Sequence, residues 1–262
     1  MNDNERRPIG LIAAVPQELA ALREHFRVRE ERHTGGTAFL SGELDDVPVV
    51  AAECGIGKVN ASLIATELAS RYDSRALVFS GVAGSLDEAI KVGDVVVADR
   101  LICHDYGAVI DQKLVRYQPG VPPLPDMPRE AGYDVQPDLV SALKERLTDL
   151  EMPPLPADFA GPQRRSAAIH FGTVLTGDQF VNCSDTRLTL RAEFDALAVE
   201  MEGAAVAQIA SAFDIPAIAV RAMSDLAGTN SHLDFATFLS FAAEQAATVV
   251  RALVPAVDDW QG

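Results

Sequence analysis

Three carboxylates in this 262-residue chain lie just past apolar runs: Glu18 after residues 9–14, Glu202 after 196–199, and Asp225 after 215–221. Carboxylates are seldom buried unless they are paired or functional. Grouped without a metal, they can move protons and stabilise positive charge that develops on a bound molecule. Taken singly, each has a bland explanation. Acids are favoured in the first turn of a helix, where they meet the positive end of its dipole, and Asp225, following Ser224, can be a cap alone. Three together, with Gly81-Val82-Ala83-Gly84 on the same expected edge, point to a site. In the stretch VEMEGAA (199–205) the two acids are not equivalent. Neighbouring residues at a strand end point to opposite sides, so Glu200 is read as turned away from a ligand or paired within the structure. Glu202 is expected to be the functional acid, kept ionised by the start of a helix. Gly203, Ala204 and Ala205 then let that helix pack close to the sheet.

Other motifs carry less. Gly55-Ile56-Gly57-Lys58 follows a strand-like run, but a phosphate loop needs four residues between its glycines and Ser or Thr after the lysine, and Val59 follows here. The dinucleotide fingerprint fails as well, because Asn60 stands where its third glycine belongs. A tight strand-to-helix turn that lets backbone approach a ligand is the better reading. His104-Asp105 has no partner at metal-ligand spacing and is read as solvated loop polars. Ser80 lacks the Gly-x-Ser-x-Gly elbow of serine hydrolases. No metal and no cofactor are expected.

The acids must be positioned by a repeated unit: a β-rich apolar run, a loop of small or polar residues, then a helical pattern. The runs are Ile9–Ala14, Val47–Ala52, Ala76–Phe79, Ala196–Val199 and Ile215–Arg221. Continuous apolar strands alternating with helices indicate an α/β fold, a central twisted, mixed but mostly parallel sheet flanked by helices. Such sheets bind ligands at the carboxyl ends of their strands. Helices are expected from Pro16 with Leu19, Leu22 and Phe26 as a stripe, from Pro137-Asp138 through Leu150, around Val206 to Phe213, and over about Phe235–Leu253, ending before Pro255. Between Gln118 and Arg165 two proline-rich stretches flank the second of these helices, and read as extended loops at the rim of one domain spanning 1–262.

Composition bounds the partners. Hydrophobic residues at 48% and charged residues at 23% fit a soluble globular chain. A formal charge of -16 argues against nucleic acid and anionic membranes, which need clustered Lys and Arg, and favours a small neutral or cationic ligand. The apolar run after Arg6 and Arg7 is too short for a signal peptide and is read as a first strand. Nothing approaches a membrane-spanning length, so an intracellular, cytoplasmic protein is expected. Cys54, Cys103 and Cys183 are expected to be buried reduced thiols, and residues 1–7 and 256–262 to be frayed.

The chain resembles the 5'-methylthioadenosine/S-adenosylhomocysteine nucleosidases of the purine nucleoside phosphorylase superfamily. The resemblance rests on segments 9–18, 55–61, 81–98, 176–181 (ThrGlyAspGlnPheVal), 198–205 and 220–235, in the family's order and over nearly the whole chain. It implies that Asp225, supported by Ser224, protonates N7 of a purine so that the base leaves neutral, and that Glu18 is the general base on water. It further implies that Glu202 and the Met201 backbone hold the ribose hydroxyls, that Phe180 stacks on the base and that the Val181 backbone reads its edge. Ala83 and Gly84 would line the base and ribose site, Ile56 and Phe235 would contact the 5' substituent, and a homodimer is implied, working in methionine salvage. The residue types fit: cleaving a ribose–purine bond builds oxocarbenium-like charge on the sugar, which asks for an acid at the base and anions near the sugar. For Asp225 to hold a proton near neutral pH, its pKa must be raised, as desolvation against Phe180 and neighbouring acids can do.

Two positions depart from the pattern. Val82 stands where the bacterial nucleosidases carry a small hydroxyl residue, and the 118–165 segment is longer than the family's. Futalosine or a plain nucleoside therefore remain as substrates beside the 5'-thio compounds. Phosphorolysis is the main rival reaction. It would need arginines at the lower face of the sugar, and neither Val15-Pro16-Gln17-Glu18 nor Phe79-Ser80-Gly81 supplies one. A non-catalytic nucleoside-binding protein is the third reading, though it would not need all three acids.

Overall fold

The computed structural model describes residues 7–121, 124, 131–155, 165–229 and 231–260. Five apolar stretches build the centre of the sheet: β1 (Ile9–Ala13), β4 (Val47–Glu53), β5 (Ala76–Ser85), β11 (Ala198–Glu200) and β12 (Ala217–Asp225). These are the five runs expected from sequence, with β5 and β12 extended at their carboxyl ends. β2 (Phe26–Thr34), β3 (Thr37–Leu44), β6 (Val95–Cys103), β9 (Tyr133–Asp134) and β10 (Ile169–Thr176) complete a ten-stranded sheet. A separate hairpin joins β7 (Gly107–Ile110) to β8 (Lys113–Arg116).

The sheet is mixed. β12, β5, β1 and β4 are mutually parallel, and β6, β10 and β11 form a second parallel set. The sets run in opposite directions, because β6 pairs antiparallel with β12 and β11 pairs antiparallel with the end of β5. The second pairing, Ala198 with Ser85 and Val199 with Gly84, closes β11, β10, β6, β12 and β5 into a ring. The acids therefore do not share one parallel edge. β11 reaches the common point from the other direction, and the overshoot of β5 brings Glu200–Glu202 beside Ala83 and Gly84.

Alternating side chains of each central strand feed two cores. Ile9, Leu11, Val78 and Val220 face a helical layer of α1 (Pro16–Arg23), α3 (Pro137–Leu147) and α6 (Ser231–Asp259), represented by Leu22, Leu143 and Leu253. Ile12, Leu77, Phe79 and Ala219 face α2 (Lys58–Ser70) and α5 (Gly203–Ala212) through Ile64, Leu68 and Val206. Each such Val, Leu, Ile or Phe side chain, removed fully from water, contributes roughly 1.5–3 kcal/mol. Both faces being covered explains why these strands read as unbroken apolar runs. α4 (Ser184–Phe194) lies outside these layers and buries only Leu190.

Several expectations change. Phe26 belongs to β2, not to the first helix. The last helix does not stop before Pro255: it runs to Asp259 with Val254 and Val257 buried, and Trp260 Nε1 donates to Asp138 Oδ2 at 2.9 Å. An interior proline costs ~3 kcal/mol, and the apolar surface buried on both sides of it outweighs that cost. Residues 256–260 are thus ordered, while 1–6, 261 and 262 lie outside the described residues. Within 118–165 the helix Pro137–Leu147 is present, but most of both proline-rich stretches lies outside the described residues. Cys103 is buried and Cys54 half-buried, yet Cys183 is exposed where α4 begins. Among the described residues no helix is long and apolar enough to cross a membrane.

Candidate active site

The strand ends converge on a cavity of about 290 Å³. Glu18, Ile56, Ala83, Gly84, Phe180, Val181, Met201, Glu202, Ser224, Asp225 and Phe235, the residues singled out in the sequence, all line it. Glu18 is the third residue of α1 and its buried carboxylate turns back over the helix start. Oε2 accepts the N–H groups of Ala14 (2.7 Å) and Val15 (3.2 Å), and Oε1 accepts that of Val82 (2.9 Å). The helix-start reading is therefore correct as local structure, and the same carboxylate also faces the cavity. Val82 makes its contact with Glu18 through its backbone, so this link needs no hydroxyl at position 82.

Asp225 ends β12 just after a register shift between Met223 and Asp225, which re-aims the chain. Its Oδ1 accepts the Ala227 N–H at 2.8 Å and its Oδ2 accepts the Ser224 hydroxyl at 3.0 Å. A Cβ on Gly84 would lie 2.8 Å from Asp225 Oδ1, so only glycine leaves room for this carboxyl. Burial raises the Asp225 pKa above its ordinary value, against the lowering effect of the Ala227 and Ser224 hydrogen bonds.

Glu202 reaches back to the turn before α2, where Oε1 accepts the Gly57 N–H at 2.8 Å. The donors at the start of α5 go elsewhere. Glu200 takes the N–H groups of Gly203 (2.9 and 2.8 Å) and Glu202 (3.1 Å), together with the Thr176 hydroxyl. The helix start thus favours the charge of Glu200 rather than that of Glu202, contrary to the expectation from sequence. Burial, followed by the neighbouring Glu200 carboxylate, raises the Glu202 pKa. Glu200 does pair within the structure, as expected, although it still borders the cavity.

Its partner is Arg221, a residue that sequence reasoning missed. The guanidinium is 1% exposed, donates Nε to Glu200 Oε2 at 3.0 Å, lies 4.0 Å from Glu202 Oε2 and stacks 3.8 Å from the Phe79 ring centre. A Cβ on Gly81 would meet Arg221 Nη1 at 2.5 Å and Glu18 Oε1 at 2.8 Å, which shows how tightly cation and acid face each other. Burial raises the Glu18 pKa, and Arg221 is the strongest influence lowering it. The signal was a lone charge inside an apolar strand, three residues before the Ser224-Asp225 pair.

The opposite wall is apolar and open. Phe180 and Phe235 meet edge to face, with ring centres 5.9 Å apart and planes at 80°. Gln179 and His232 also line the cavity and were not foreseen. The loop 177–183 that carries Phe180 is tied to the start of α6, where Asn182 Oδ1 accepts the Ser231 N–H at 3.1 Å. Among the described residues, no three His, Cys, Asp or Glu side chains are grouped to hold a metal ion.

The comparisons with known proteins agree with this geometry. The family model of the phosphorylase superfamily matches residues 8–255. The 5'-methylthioadenosine/S-adenosylhomocysteine nucleosidase of Mycobacterium tuberculosis is 44% identical over 247 residues, 94% of this chain and 96% of that protein. The chain belongs to this nucleosidase family of the phosphorylase superfamily. Among solved structures, the family's S. pneumoniae member, held with the transition-state inhibitor MT-ImmA, superposes with a TM-score of 0.78 at 33% identity, covering 95% of this chain and 99% of that one. The futalosine hydrolase of Helicobacter pylori superposes with a TM-score of 0.77 at 29% identity, covering 95% and 98%. Membership of this family thus accounts for the mixed sheet with its flanking helices, and the same fold is shared by a futalosine hydrolase.

His104 differs from expectation. It is buried, not solvated, and a Cβ on Gly177 would lie 2.3 Å from its Nε2. Burial lowers its pKa below the ordinary value, which favours the neutral ring.

Proposed function

We propose that this protein hydrolyses the N-glycosidic bond of a 5'-substituted purine nucleoside of the 5'-methylthioadenosine or S-adenosylhomocysteine type, releasing the base and the substituted ribose. The observation that carries this reading is a buried Asp225 with a raised pKa, in the same cavity as three further carboxylates and an aromatic wall. Asp225, oriented by Ser224, gives its proton to N7 of the purine, and the base departs neutral. Glu18, its oxygens turned by the backbone of Ala14, Val15 and Val82, accepts a proton from water as the water attacks the sugar. Glu202 and the Met201 backbone hold the ribose hydroxyls, and Glu202 also faces the cationic sugar of the transition state. Phe180 stacks on the base, the Val181 backbone reads its edge, and Ala83 and Gly84 let base and ribose lie close to β5. Ile56 and Phe235 receive the 5' substituent.

Water rather than phosphate is the nucleophile. Arg221 does bring a cation to the sugar side, but Glu18, Glu200 and Glu202 surround it, and its guanidinium is committed to Glu200 and Phe79. With that guanidinium committed, the cavity offers no free arginine among the described residues to hold phosphate. Product-resolved assays over 5'-methylthioadenosine, S-adenosylhomocysteine, futalosine and adenosine, with and without phosphate, test reaction and substrate together. Adenine release that strictly requires phosphate, with a ribose 1-phosphate product, overturns the reading.

The assembly belongs to the same proposal. Ile56, Val59 and Leu63 are 51%, 81% and 61% exposed at the start of α2, beside the mouth of the cavity. A second copy covering this face would form a homodimer and close the 5' end of the site, and the protein would act in the cytoplasm in methionine salvage. Sedimentation of Val59→Glu, expected to be monomeric, checks the interface.

A further inference from the structure

Lys58, which no phosphate-loop motif explains, and Asp105, which no metal motif explains, meet in space. Lys58 Nζ donates to Asp105 Oδ1 and lies 3.4 Å from Asp178 Oδ2. The Lys58 backbone N–H donates to Asp178 Oδ1 at 3.0 Å, and the Asp178 N–H donates to Asp105 Oδ2 at 2.7 Å. Each member therefore bonds to both others, and the group ties together the start of α2, the turn after β6 and the loop after β10. None of the three lines the cavity, yet Asp178 directly precedes residues that do, and Lys58 follows a glycine that bonds to one of them. Gly57, directly before Lys58, donates to Glu202, and Gln179, Phe180 and Val181 directly follow Asp178.

We propose that Lys58, Asp105 and Asp178 form a latch of positioning residues, which fixes the 177–183 loop, and so Phe180 and Val181, against the turn that holds Glu202. The latch rests on the purine nucleoside reading above and adds to it a second set of residues that governs how the base is held. Its geometry depends on the ammonium. Without it, Asp105 and Asp178 lose the positive charge they share, and the loop keeps only the Lys58 N–H bond to Asp178 as its link to the α2 start. The root of the loop is held separately: Gly177 lies against the buried His104 ring and donates its N–H to the Glu200 carbonyl at 3.0 Å. The latch therefore sets the distance between the aromatic wall and the acids, while the root stays fixed.

Lys58→Met keeps the aliphatic stem and removes the charge. Its KM for 5'-methylthioadenosine is expected to rise about tenfold with kcat within about threefold, the signature of lost binding that ground and transition states share. Lys58→Arg, which keeps the charge, should return KM toward the wild-type value. A residue that merely stabilised the fold would lower the active fraction, and with it the apparent kcat, and leave KM unchanged. A KM increase of less than threefold in Lys58→Met overturns the proposal, whatever happens to kcat. Should that variant not fold, Asp105→Asn, which keeps an acceptor for the Asp178 N–H, carries the same test with the same threshold. Adenine binding by titration calorimetry makes the comparison without turnover: at least threefold weaker binding to the variant supports the latch, and equal binding sinks it. If the wild type releases no adenine, the hydrolase reading falls, and the calorimetry still decides the latch.

Discussion

The two sides of the cavity are built differently. On the acid side every functional carboxylate is buried and each is held by fixed donors: Glu18 by three backbone N–H groups, Asp225 by Ala227 and Ser224, Glu202 by Gly57. On the aromatic side Ile56 and Phe180 are half exposed, and the wall is fastened through polar groups outside the cavity, at Lys58, Asp105, Asp178 and Asn182. The carboxylates proposed to handle protons are thus preorganised, which avoids reorganisation during reaction, whereas the residues proposed to hold the base and the 5' substituent rest on a more open frame.

Substitutions can break this contrast or sharpen it. Asp225→Asn keeps the shape and removes the acid, and kcat should fall on the order of 10³-fold at nearly unchanged KM, measured by adenine release. Arg221→Met strips Glu200 of the one cation paired with it among the described residues and leaves a buried carboxylate without a counter-charge. Urea denaturation should show a loss of about 3–5 kcal/mol, the usual cost of breaking a buried pair from one side. If that variant is as stable as the wild type, the acid side is not the rigid one. Phe180→Ala should act in the opposite sense, raising KM for adenine-containing substrates about tenfold with a smaller change in kcat, by loss of base stacking.

The pH profile gives the smallest effect per step. Because burial raises the Asp225 pKa, its proton is retained above the ordinary carboxylate range and lost as pH rises further, so kcat/KM should fall on the alkaline side. The linkage has the same sign. A carboxyl raised in the folded state contributes its stability below its unfolded pKa, and that stability is lost as pH rises through the folded pKa. Asp225→Asn should therefore flatten the decline of melting temperature with pH, and an unchanged slope would show that Asp225 is not the group responsible.

Much of the site was legible because its residues follow apolar strands, and apolar runs are the part of a sequence that burial on both faces dictates. The strands leading to Glu18, Glu202 and Asp225 are of this kind. β2 was not legible: FRVREERHT is mostly solvent-facing and is ordered by pairing with β3, which no local pattern announces. Arg221 was hidden for a related reason. Its strand was expected, but the acids that neutralise it arrive from two other segments, the start of α1 and residues 200–202, so its role depends on contacts that sequence spacing does not encode. Lys58 and Asp105 each failed the motif they superficially resembled, because their partners are one another. The polarity of Glu202 was misjudged for want of one fact, that Glu200 occupies the helix start.

The closed ring of β5, β11, β10, β6 and β12 has a dynamic consequence. A strand at a sheet edge can peel away alone, but a ring offers no first strand to release. The amides of Val199, Gly84 and Ala222, which lie in ring pairings, should exchange with solvent only through opening of the whole ring, while the β2–β3 wing frays independently. Local breathing can then loosen the outer wing without dispersing the strand ends that carry Asp225 and Glu200.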